Sequence, residues 1–190
     1  TMDIRDLQAI DVHAHYGTYH VDGMELAQRL ISADAATVAR RARECNIQYT
    51  MVSPLSGLLP RGRASAAAGN EEAWDLVPQT PSLLQWVIVN PLQEQTCEQA
   101  RRMLGQRRCI GIKLHPDEHG YDIAEHGRAL FEFAAGQNAI VMTHSGGRRS
   151  MPQDFVALAN DFPQVKLILA HLGGAWDEQW TYQVRAIQAC

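Results

Sequence analysis

His13 and His15 stand one residue apart in the stretch Ala9-Ile-Asp-Val-His-Ala-His, where an apolar run gives way to Gly17. A β-strand alternates its side chains with period two, so both imidazoles leave such a run on one side. Imidazole is the commonest metal ligand among side chains, and two on one rigid strand can fill two coordination positions of a single divalent ion. One such pair among eight histidines is a weak signal alone. It gains weight from His144 in Ala139-Ile-Val-Met-Thr-His-Ser-Gly-Gly and His171 in Lys166-Leu-Ile-Leu-Ala-His-Leu-Gly-Gly, which also end apolar runs just before glycines. Zinc with three protein ligands and one open position lowers the pKa of its water to about 7 and polarises a carbonyl or carboxylate.

Other residues are placed to meet a substrate. Lys113 and His115 share parity on the run from Cys109 to Leu114, with His115 standing last, at the rim. Arg148 and Arg149 follow the loop after His144 and can grip a carboxylate in bidentate fashion. Asp11 has the parity of His13 and lies one layer deeper, where it can orient a ligand. Asp177 reads as a first-turn helix acid and not as a substitute metal ligand. His20, His119 and His126 lie away from strand ends and are expected at the surface, while Trp74, Trp86, Trp176 and Trp180 read as core or interface anchors.

These side chains need a scaffold that brings separate strand ends together. Short apolar runs at about Leu7 to Val12, Tyr49 to Ser53, Leu83 to Val89, Cys109 to Leu114, Ala139 to Thr143 and Lys166 to Ala170 alternate with stretches of helical period. Most runs are continuously apolar, as strands buried on both faces are, which predicts a parallel sheet with crossover helices. Ser53-Pro54, Asn90-Pro91 and His115-Pro116 each end a run with a polar residue and a proline that stops ladder pairing. Helices are predicted over Asp34 to Cys45, around Phe155 to Phe162, and from Asp122, with Glu125 completing a cap, to Gly136. Residues 54–70 read as one long irregular stretch that could act as a lid.

Composition narrows the class. A chain of 190 residues with 46% hydrophobic and 20% charged residues fits one globular domain spanning 1–190. A net charge of −4 with scattered lysines and arginines offers no basic face for nucleic acid or an anionic membrane, which leaves a small molecule as the expected partner. Four cysteines without CxxC spacing are expected as reduced, mostly buried thiols. No run approaches the ~20 apolar residues of a membrane span. Asp3, Arg5 and Asp6 occupy the N-terminus in place of a leader's apolar region, so a cytoplasmic location is expected.

Four motifs in register, Asp11-Val-His-Ala-His, Gly111-Ile-Lys-Leu-His-Pro, Thr143-His-Ser-Gly and Leu169-Ala-His-Leu-Gly-Gly, resemble the amidohydrolase-related family of the metal-dependent hydrolase superfamily. The resemblance is to the branch that includes aminocarboxymuconate-semialdehyde decarboxylase. It implies a TIM-type (β/α)₈ barrel with a divalent metal, usually zinc with manganese possible, at the C-terminal rim. It implies His13, His15 and His144 as ligands and His171 as the catalytic base. The family's further aspartate follows an eighth strand. Against a barrel of about 250 residues, this sequence supplies about six β/α units, and that aspartate is not among them. Exposed sheet edges would favour a homo-oligomer. The resemblance implies a hydrolase acting on a small, carboxylated, cyclic or aromatic-derived compound. The alternatives are non-oxidative decarboxylation at the same site, a metal-free lactonase-like chemistry, and an inactive remnant serving as a binding or assembly module.

Overall fold

In a computed structural model, which describes residues 6–20, 23, 25–173 and 180–190, the apolar runs become strands joined by helices. In chain order the elements are β1 (Ala9–Tyr16), α1 (Glu25–Ile31), α2 (Ala35–Glu44), β2 (Ile47–Pro54), α3 (Ala66–Leu76), β3 (Leu83–Ile88), α4 (Gln95–Met103), β4 (Cys109–Leu114), α5 (Pro116–His119), α6 (Ile123–Gly136), β5 (Ile140–Thr143), α7 (Val156–Asp161), β6 (Leu167–Leu169) and α8 (Thr181–Gln188). The six strands form one sheet in sequence order, every neighbouring pair parallel. Parallel neighbours require a crossover, and at least one helix fills each connection. The sheet curls: Lys113 on β4 reaches His13 on β1 at 2.9 Å, and the Trp86 indole on β3 donates to the Val12 carbonyl on β1 at 2.9 Å. The architecture is the curled arc of a (β/α)₈ barrel, with six strands among the described residues, as the sequence predicts.

Packing separates the two faces of the sheet. Outside, Val87, Ile112, Leu114 and Val141 bury against Met103 of α4, Leu130 and Phe131 of α6, and Phe155. Farther along the same layer, Val52 and Leu83 meet Ala35 and Ala39 of α2 and Ala73 of α3. On the concave side Trp86 packs with Met142 and Ala170. Gly111 makes room for it, since a Cβ there would lie 2.6 Å from the Trp86 ring and 2.5 Å from the Ile140 carbonyl. Burying Trp86 and its partners removes enough apolar surface to stabilise the arc by several kcal/mol, at about 25 cal/mol per Å². No helix among the described residues is long and apolar enough to cross a membrane.

Local chemistry explains the starts of α2 and α3. The Asp34 carboxylate accepts the Thr37 N–H at 2.7 Å and the Ser65 hydroxyl accepts the Ala68 N–H at 3.1 Å, capping α2 and α3. Asp122 precedes α6 in extended geometry but makes no capping bond, because its carboxylate accepts from Arg149 at 2.9 Å. The sequence-predicted cap is thus replaced by an ion pair.

Other expectations are corrected by tertiary contacts. β1 runs to Tyr16, and not to Val12, because β2 extends to Pro54 and offers partners to His15 and Tyr16. An irregularity between Asp11 and Ala14 interrupts the ladder, and Asp11 Oδ1 accepts the His13 N–H there at 3.0 Å. Residues 54–70 are not an irregular lid: Leu55–Gly57 forms a 3₁₀ turn, Leu58 and Leu59 are buried, and the small residues from Ala66 begin α3. His119 is not at the surface but 6% exposed, its Nε2–H donating to the Gly57 carbonyl at 2.9 Å. His20 is exposed as expected, and His126 is half-buried against the Tyr121 ring. All four cysteines are free, yet Cys45 and Cys190 are exposed, at the ends of α2 and α8. Trp86 is a core residue, Trp74 is half-buried beneath Arg102, and Trp180 is exposed. Asp177 and Trp176 lie outside the described residues.

The small-residue run works by close approach. A Cβ at Gly69 would lie 2.6 Å from the Gly57 Cα, whereas one at Gly105 would meet nothing within 4 Å. Gly69→Ala is expected to destabilise the chain by about 1–3 kcal/mol, and Gly105→Ala to stay within about 0.5 kcal/mol of the parent. Urea midpoints of the two variants check this, and equal midpoints would refute the close packing of α3.

Candidate active site

The register carries functional side chains to one rim. Leu114 pairs with Thr143 and Thr143 with Leu169, so His115 and His144 follow their strands at one level, His171 comes one residue farther along after β6, and His15 stands one residue before the end of β1. The His144 N–H extends the ladder to the Leu114 carbonyl at 3.0 Å. His171 sits in a 3₁₀ turn with φ of 59°. That left-handed conformation is costly for a residue with a Cβ, and such strain persists where surrounding contacts hold it.

The rings touch one another in sequence. Centroids lie 5.0 Å apart for His13 and His15, and 4.8 Å apart both for His13 and His171 and for His144 and His171. His115 stacks on His144 at 4.3 Å. Hydrogen bonds fix several tautomers. His15 Nδ1 lies 3.0 Å from the Ser53 carbonyl and donates to it, which leaves Nε2 with a free lone pair. His115 Nδ1 accepts the Glu118 N–H at 3.3 Å, so its proton is on Nε2. Lys113 Nζ donates to His13 Nε2, and one hydrogen is shared between His144 Nδ1 and His171 Nε2 at 3.1 Å.

Electrostatics keep this cluster neutral. Burial, followed by the nearby Lys113, pushes His13 down to about 2 and His15 down to about 3. Burial and then His171 lower His144 to about 4, while burial and Lys113 lower His171 from its ordinary range. Burial, then His144, holds His115 well below the usual imidazole value. Lys113, fully buried on β4, is brought down to about 7 by burial alone. Neutral imidazoles present lone pairs to a metal or take protons from an acid.

A cavity of about 570 Å³ opens above the rings. His15, His115, His144 and His171 form one wall with Arg148, and Leu55, Leu58 and Leu59 form an apolar one. Of the residues singled out by sequence, Arg148 lines this cavity, whereas Arg149 is held on Asp122 outside its lining and Lys113 lies beneath it against His13. Sequence reasoning missed the leucines, Arg61 and Asp117, all of which line the cavity. Asp117 follows the His115-Pro116 pair directly and binds the loop after β5: its carboxylate accepts the Ser150 hydroxyl at 2.6 Å and the Arg149 N–H at 3.3 Å. Gly147 is obligatory beside it, because a Cβ there would lie 2.2 Å from the Asp117 carboxylate.

The donor chemistry suits a divalent ion of the zinc type, since nitrogen ligands that stay unprotonated at neutral pH are what such ions take. Among the described residues no three His, Cys, Asp or Glu side chains already stand in metal-binding arrangement. An ion would compete with Lys113 for the lone pair of His13 Nε2 and with the hydrogen shared by His144 and His171.

The depressed imidazoles make stability depend on pH. In the unfolded chain these histidines take up protons near pH 6.5, whereas the folded chain resists until about pH 4 at His144 and about pH 3 at His15. The unfolded state therefore binds more protons over this window, and stability is expected to fall steadily as pH drops below about 6.5. The unfolded state also holds more protons at Lys113 above about pH 7, up to 10.5, so Lys113→Met is expected to flatten the rise in stability between about pH 7 and 8.5. Urea midpoints across pH 5 to 8.5 check both, and a flat acid limb would mean that the imidazoles charge within the folded chain.

Among solved structures, the chain superposes on a dihydroorotase from Campylobacter jejuni with a TM-score of 0.44 and 16% identity, covering 85% of this chain and 46% of that one. The chain thus spans about half the length of that protein. A comparison with curated proteins gave no match. The amidohydrolase family profile, by contrast, matches residues 10–189, and with six parallel strands carrying histidines to one rim, the chain belongs to the amidohydrolase family.

Proposed function

We propose that the chain provides the active site of a metal-dependent hydrolase for a small carboxylated compound, cyclic or aromatic-derived. The observation that carries this reading is a set of imidazoles held neutral around a cavity of about 570 Å³ that also contains Arg148. In this reading His13, His15 and His144 hold the ion. Zinc is favoured over manganese by the all-nitrogen donor set. When bound, a divalent ion acidifies water and polarises a carbonyl or carboxylate.

The chain's own residues do the rest. Arg148 binds the substrate carboxylate, and no side chain among the described residues pairs with it beforehand. Leu55, Leu58 and Leu59 pack the carbon skeleton and exclude water, which strengthens each polar contact inside. His115 donates from Nε2 to a substrate oxygen. His171 would take the proton of the attacking water, its lowered pKa leaving it neutral and able to do so at neutral pH. Ser53 fixes the tautomer of His15 through Nδ1, and Lys113 orients His13.

The test is metal content by elemental mass spectrometry on the parent chain and on the His13→Ala/His15→Ala double variant, with folding followed by circular dichroism. Near-stoichiometric zinc or manganese in the parent, lost in the variant, is expected. Absence of metal in a folded parent loaded with either ion would sink the reading. In the metal-loaded parent, His171→Ala is expected to lower kcat by about 10²–10⁴-fold with little change in metal content. Product analysis on carboxylated rings then separates water uptake from release of carbon dioxide.

A further inference from the structure

The cavity over the imidazoles continues past Arg61. A second cavity of about 420 Å³ shares Tyr19, Leu59, Arg61 and Glu118 with the first and adds His20, Pro60 and Arg63. The two are therefore compartments of one groove that runs outward from the rim histidines. Its junction is polar but self-neutralised: Arg61 donates from Nε and an Nη nitrogen to the two Glu118 oxygens at 3.0 and 2.9 Å. Glu118 is anchored from below, its carbonyl accepting the Gly62 N–H at 2.8 Å. Between the compartments the shared surface also includes Leu59 and the Tyr19 ring, which offer carbon contacts beside the paired charges.

The outer compartment keeps one cation without a partner. Arg63 makes no ion pair or side-chain hydrogen bond among the described residues, nor does Arg148 at the inner end. Two arginines without counter-ions among the described residues thus line the two compartments, Arg148 the inner and Arg63 the outer, and the arginine that lines both is already paired with Glu118. A ligand carrying a single carboxylate satisfies only one of them.

We propose that the groove is a bipartite site for an elongated dianion: one carboxylate at Arg148, beside the reacting group, and a second anionic group, carboxylate or phosphate, at Arg63. The proposal rests on the hydrolase reading for its inner half and extends it by naming the charge and shape of the substrate. A guanidinium binds either anion in bidentate fashion, and its exposure limits the gain from each contact.

The test is isothermal titration of the full chain with glutarate, adipate and suberate against pentanoate, hexanoate and octanoate, and with the ω-phosphono acid of the best length. One diacid is expected to bind about three- to tenfold more tightly than its monoacid. Arg63→Gln should erase that advantage, Arg148→Gln should weaken both series, and Arg185→Gln on α8 should change neither. The phosphono acid shows which anion the outer compartment prefers. Diacids binding no better than monoacids at every length, or an advantage that survives Arg63→Gln, would overturn the bipartite site while leaving the metal reading intact. Binding of neither series would overturn the site at both ends. Loss of the hydrolase reading shows separately, as a folded chain that takes up no metal.

Discussion

Everything at the mouth of this molecule depends on one constraint, the parallel ladder in sequence order from β1 to β6. Because all strands run the same way, each delivers its C-terminal residue to the same rim, and register alone decides which residue that is. Leu114, Thr143 and Leu169 stand opposite one another, so His115 and His144 leave their strands side by side and His171 follows one residue later. The curl then turns a row into a ring, so that side chains from β1 and β4 meet across the concave face. A sheet of the same sequence lying flat would hold these histidines in a line.

Burial sets the chemistry of that ring. Cations and imidazoles are gathered here with the nearest carboxylates used elsewhere: Asp117 is tied to the loop after β5, Glu118 to Arg61, and Asp11 to the backbone of His13. Desolvation outweighs the pull of Asp117 on His144, and the imidazoles stay neutral. The cost in folding free energy is borne by the apolar layers on both sides of the sheet. A site with a paired carboxylate in place of Lys113 would hold His13 charged and unable to offer a lone pair.

What could be read from the sequence was what local order determines. His115-Pro116 marked the end of β4, which came out as Cys109 to Leu114, as its apolar run suggests, whereas Pro54 stands inside β2 opposite Tyr16 and β3 stops at Ile88, short of Asn90-Pro91. The histidines were recognised by type and position. What escaped was set by residues far apart in the chain. β1 gained its last residues from β2, and the order of residues 54–70 comes from Gly57 meeting Gly69. Arg148 and Arg149 are indistinguishable as neighbours in sequence; only the position of Asp122 sends one to the cavity and the other away. His119 looked like a surface residue until the Gly57 carbonyl was placed above it.

The contact between His13 and His171 joins the first strand to the 3₁₀ turn that follows the sixth. Nearly the whole chain lies between them, so closing that contact carries the loop entropy of almost every residue. No early folding intermediate, and no nascent chain still short of β6, can hold the complete ring. The ring of imidazoles therefore forms only once the turn after β6 has docked against β1.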